Sequence, residues 1–255
     1  MLRDLLLQLF RGSLFFFKKR GFYILPLALV LYLTIFWYSP QILNYLQIKY
    51  QQKFVFFSIT EPLISLLKFS FTLFFIILFP LLYLGLLSLI QSLLSLRKIF
   101  FWSAYLLGLL LFYGGILFCY FITLPYGIKF LISFKTESLE PSISLSHFVN
   151  FFSFFLLAFG LIFELPLFLA LLIILRIINP QKVTRYRKEI FFFTVVFAAI
   201  ITPTPDAINM ALLAIPLYTL FEIGLLLGKV LLKFNILWGD TQTKPQQEKL
   251  PSQEA

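Results

Sequence analysis

"LLAFGLIFELPLFLALLIIL", residues 156–175, carries one ionisable side chain in twenty positions. About 20 apolar residues suffice to cross the hydrocarbon core of a bilayer, so this stretch reads as a membrane span. Glu164 stands near its middle. A carboxylate at that depth costs roughly 2.5–3.5 kcal/mol on insertion scales, and its presence therefore needs a reason. Two remain open from the residues alone. The group is either a hydrogen-bonded joint between helices of one bundle, or a place where a partner helix or a substrate docks.

The rest of the chain agrees with a membrane setting. Of 255 residues, 60% are hydrophobic and 13% charged, against about 25% charged in soluble domains; the mean hydropathy is +0.95. A single cysteine, Cys119, excludes an internal disulfide, and a single histidine, His147, leaves a histidine-based metal centre without ligands. No cofactor is expected. The sequence holds no GxSxG elbow, HExxH pair or phosphate-binding glycine loop, which argues against an enzyme.

Six apolar segments are read at 22–38, 63–90, 100–124, 149–178, 190–201 and 210–227. The fourth is too long for a straight crossing, and Pro166 offers a kink. The fifth is short, about 18 Å of uninterrupted helix, and the last two are expected as a short pair joined by "TPTPD" (202–206). The fold class is thus an all-α integral membrane protein. Residues 1–21 form an amphipathic N-terminal segment or the beginning of the first span, and 22–228 form the membrane domain. Loops 39–62 and 125–148 make an outer cap, the second with short surface helices. Residues 229–255 form a polar, disordered tail.

Charge fixes the orientation. With both termini cytoplasmic, the N-terminal segment, the 91–99 and 176–189 loops and the tail hold sixteen of the 21 basic residues. Lys49, Lys53, Lys129 and Lys135 stay outside, with Lys68 snorkelling to that side from the second span. This is a positive-inside pattern. The net charge of +10 therefore reflects topology, and no nucleic-acid partner is expected. Basic clusters such as "FFFKKRG" (15–21) and "RYRKE" (185–189) set topology or hold anionic headgroups. Asp206 is placed to cap the sixth segment. Glu222 is expected to snorkel or to pair with a nearby lysine such as Lys229.

Four stretches carry a family resemblance. They are "TEPLISLLKFSF" (60–71), "LLFYGGILFCYFITLP" (110–125), "FLISFKTESLEPSISLSHFVNFFSFFLLAFGLIFELPLFL" (130–169) and "YRKEIFFFTVVFAAIITPTPDAINMALLAIPLYTLFEIG" (186–224). Together they resemble the TatC family, the multi-span core of the twin-arginine protein translocase. The resemblance implies a cupped six-helix fold in the bacterial cytoplasmic (inner) membrane. It also implies recognition of signal peptides bearing consecutive arginines and assembly with single-span Tat subunits. Folded proteins are then exported at the expense of the proton-motive force. The family's intramembrane glutamate falls on Glu164, the expected docking position for partner helices, and its outer aspartate on Asp206, in the motif with Pro203 and Pro205. Lys18 and Arg20 match basic positions of the N-terminal signal-peptide contact, and Arg97 falls in the other contact, between the second and third spans. Phe16 and Arg97 stand where the family carries acids, leaving Asp4 and Glu189 as nearby cytoplasmic carboxylates. Homo-oligomers remain open. The rival reading is a proton-coupled small-molecule transporter protonated at Glu164; the lack of an internal repeat and of other polar residues in the spans weighs against it.

Overall fold

A computed structural model describes residues 2–50, 54–94, 98–133, 143–201 and 207–233. Helix dominates because a bilayer offers no partner for a bare backbone amide. In chain order the elements are α1 (Leu2–Lys49), β1 (Phe54–Val55), α2 (Glu61–Leu94), α3 (Lys98–Phe118), a π-helical turn (Cys119–Thr123), α4 (Leu124–Ser133), β2 (Ile143–Ser144), α5 (Leu145–Ile162), α6 (Leu165–Ile174), α7 (Pro180–Arg185), α8 (Arg187–Ile201) and α9 (Ala207–Lys233).

Five helical stretches are long and apolar enough to cross a membrane: Leu25–Lys49, Glu61–Gln91, Lys98–Lys129, Leu145–Ile174 and Leu213–Lys233. The 15-residue α8 is not among them and is only about 22 Å long. Expecting both last helices to be short held for α8 alone. Helix α9 runs 27 residues, because the apolar face continues through Val230–Leu232 past Gly228 and Lys229.

The first span also outruns its sequence boundary at Tyr38, reaching Lys49 through Pro40. A proline inside a helix removes one amide donor and orphans the carbonyl four residues back. For Pro40 that carbonyl is Phe36 O, and it accepts a 2.8 Å hydrogen bond from the fully buried Ser39 Oγ. The same remedy recurs at Pro80 within α2: the carbonyl of Ile76 accepts from the Tyr113 hydroxyl of α3 at 3.1 Å. Hydroxyls thus let two prolines stay inside membrane helices.

Helices α2, α3 and α5 share an aromatic core containing Phe69, Phe79, Phe112, Phe152, Phe155 and Phe159, with α1 lying along α2 and α6 against α9. The 39–62 and 125–148 loops are stitched together. Strands β1 and β2 pair in parallel, Phe54 with Ile143 and Val55 with Ser144. Glu61 reinforces the seam: its carboxylate accepts from Phe57 N at 2.7 Å, from Ser146 N at 3.0 Å and from the Ser144 hydroxyl. Helix α4 prolongs the third long stretch, which is apolar through Lys129, into the second loop.

Candidate functional site

The fourth long segment is two helices with a break at Phe163–Glu164. Pro166 sits in the first turn of α6, where its missing amide leaves no gap. The break closes with a tightened turn, Glu164 N donating to Leu161 O at 3.1 Å, while Phe168 N takes up Glu164 O at 3.0 Å. The kink expected at Pro166 is there, and Glu164 is the residue it presents.

The floor beneath the break comes from α9. A Cβ on Gly224 would lie 2.7 Å from Pro166 Cα and 2.9 Å from Pro166 O. Only glycine lets the two backbones meet there. Four residues on, a Cβ on Gly228 would lie 2.6 Å from Ile173 Cδ1. This small-xxx-small spacing brings α9 close against α6, backbone to backbone at Pro166 and onto the Ile173 side chain one turn further along α9.

The Glu164 side chain is half-buried. Its polar neighbour is the buried Tyr83 hydroxyl of α2, which stands between the carboxyl and Ala104 O, a long 3.5 Å contact. Tyr83 can approach because its ring covers Gly108, where any Cβ would overlap it. Oε1 of Glu164 is buried and has no hydrogen-bond partner among the described residues. An acceptor left so costs about 1–3 kcal/mol, and one donor from outside the chain would relieve it. Both early readings of Glu164 find something in this geometry: it neighbours α2 through Tyr83, and it keeps an unspent acceptor.

The remaining candidates fare differently. Arg97, Pro203, Pro205 and Asp206 lie outside the described residues. Lys18 and Arg20 lie on α1 where only the backbone is described. Glu222 pairs with Arg187 at 2.8 Å and accepts from the Tyr218 hydroxyl at 2.9 Å. The expected lysine is elsewhere, Lys229 Nζ donating to Thr184 Oγ1 at 2.8 Å. Residues seven apart are two turns, about 10.5 Å, distant along a helix, so a partner across the α7–α8 corner wins. Sequence reasoning missed Tyr83 and the Glu61 seam. The charge opening α2 and the "EPSISLS" motif were visible, but their contact was not.

What the geometry defines is a multi-span helical membrane protein with an incompletely satisfied carboxylate at a helix break. The TatC family of Sec-independent protein translocase proteins matches residues 14–216, and the chain belongs to that family. The TatC protein of Aquifex aeolicus is 37% identical over 174 residues, 67% of this chain and 72% of that one. For the protein of Carboxydothermus hydrogenoformans the identity is 30% over 180 residues, covering 70% and 74%. With Deinococcus radiodurans TatC it is 36% over 134 residues, and there the match spans 48%, about half, of the relative's length. A crystal structure described as the twin arginine translocase receptor TatC in DDM matches with a TM-score of 0.70 at 30% identity. It covers 85% of this chain and 99% of that chain.

Proposed function

We propose that this chain is the multi-span subunit of a twin-arginine translocase in a bacterial inner membrane. It binds signal peptides at its cytoplasmic face and assembles with single-span partners to export folded proteins at the expense of the proton-motive force. Its part is recognition and assembly, with no covalent chemistry. Six segments enter the membrane in a cupped arrangement, α8 only partway, with both termini cytoplasmic. Residues 1–21 and 229–255 flank the membrane domain on that side. The signal-peptide contact is assigned to Lys18, Arg20 and Arg97, and the outer-side family motif to Pro203, Pro205 and Asp206. The charge asymmetry of the loops and the family membership support this topology.

The observation that carries the partner-docking reading is the buried, unpartnered Oε1 of Glu164. A hydroxyl or amide from a neighbouring single-span helix would complete its hydrogen bonding, and in hydrocarbon that bond has little competition from water. Glu164→Ala should therefore leave insertion and thermal stability near wild type. It should also reduce co-purification of the single-span subunits at least about tenfold, one lost charge-assisted hydrogen bond. Unchanged co-purification together with unchanged export would defeat the assignment.

A further inference from the structure

A second polar place in the spans lies far from Glu164, toward the end of the bundle that carries β1 and β2. A shallow notch of about 470 Å3 is lined by Tyr32 of α1, Leu67, Lys68, Phe71 and Thr72 of α2, and Asn150 and Ser153 of α5. Lys68 is seven residues into α2, roughly 10.5 Å below its start at Glu61. Its Nζ donates to Asn150 Oδ1 at 3.0 Å, and it forms no ion pair among the described residues.

The notch is rich in unspent donors. Lys68 keeps two N–H groups after bonding Asn150, and Asn150 keeps its amide N–H2 because its oxygen faces Lys68. Ser153 Oγ is buried without a partner among the described residues. Ser70, Thr72 and Thr194 each donate to the carbonyl four residues back, whereas Ser153 shares its unpartnered state with Ser65 and Thr123, which do not line the notch. Among the described residues no acidic side chain lines the notch. Its walls, by contrast, continue as exposed apolar surface at Leu67 and Phe71. Converging donors with no acceptor select an anion, and adjoining exposed apolar side chains suit acyl chains.

We infer that this notch is a binding site for the phosphodiester headgroup of an anionic phospholipid in the leaflet at that end of the bundle. Lys68, Asn150 and Ser153 donate to the phosphate, and Leu67 and Phe71 contact the chains. A zwitterionic lipid brings a cation for which the site holds no carboxylate, so anionic lipid is preferred. The inference depends on membrane insertion and not on the translocase reading. The lipid would also cover the side of α1 where it lies along α2.

The test is native mass spectrometry of the full chain in detergent, titrated with phosphatidylglycerol or phosphatidylcholine. Wild type should retain phosphatidylglycerol in preference to phosphatidylcholine. Lys68→Gln should weaken that retention about tenfold, the effect of one charge-assisted hydrogen bond; Ser153→Ala should weaken it several-fold, and Lys98→Gln should not change it. Ser153→Ala removes an unsatisfied buried group and so should fold even if the lysine variant does not. Equal retention in wild type and Ser153→Ala, or equal retention of the two lipids, overturns the inference. So does a photocrosslinker at Phe71 that captures a protein chain in native membranes and no lipid, because the notch would then be a protein interface.

Discussion

Glu61 and Glu164 are both glutamates at the edge of a helix in an apolar chain, and their surroundings could hardly differ more. Glu61 opens α2 and collects donors from Phe57, Ser144 and Ser146, joining two loops that are distant in sequence. Glu164 opens α6 at a break within the bilayer and has the Tyr83 hydroxyl beside it, one carboxylate oxygen being left over. A carboxylate with its full set of donors holds a structure together; one with a shortage is an invitation to another molecule. The contrast separates an acid whose oxygens are filled from one with an acceptor left over, which position alone could not.

Disrupting the floor under Glu164 should have the largest effect. Gly224→Leu forces α9 off the Pro166 backbone, and overpacking of this kind costs about 3 kcal/mol. The thermal midpoint in detergent should fall sharply, and a midpoint at the wild-type value would mean that α6 and α9 do not meet as described. Next comes Glu61→Gln, which weakens the three bonds of the seam. Hydrogen exchange at the amides of Phe57 and Ser146 should quicken at least about tenfold, with partner co-purification intact. Slow exchange there would erase the distinction between the two acids.

Tyr83→Phe removes the one donor beside the intramembrane carboxyl and should destabilise the protein by about 1–2 kcal/mol. If thermal unfolding shows no loss, the phenol does not serve Glu164. The smallest change is expected for Glu164→Leu. Oε1 lacks a partner and the Tyr83 hydroxyl keeps Ala104 O as an acceptor, so deleting the carboxyl should leave stability unchanged or raise it by up to about 1 kcal/mol. A large drop in the midpoint would make Glu164 a structural residue like Glu61.

Much of this was legible in the amino-acid order. The kink at Pro166, the mid-span position of Glu164 and the shortness of α8 all follow from local composition and the geometry of a helix in hydrocarbon. Other features were hidden because they depend on partners far along the chain. The first span does not stop before Pro40, since a buried serine supplies what the proline takes away. Pro80 is tolerated for a similar reason, by means of a tyrosine on the next helix. Glu222 chose Arg187, 35 residues away, over the lysine nearest on its own helix.

The sequence by itself determined that this chain lives in a membrane as helices, where it breaks and where its charge lies. These are one-dimensional consequences of hydropathy, proline and the absence of water for the backbone. Only the tertiary structure decided which acid is satisfied and which is not. Hydrogen bonds are short and directional, and the donors that reach Glu61 from Ser144 and Ser146 sit 83 and 85 residues away in the chain, a separation that no local pattern encodes.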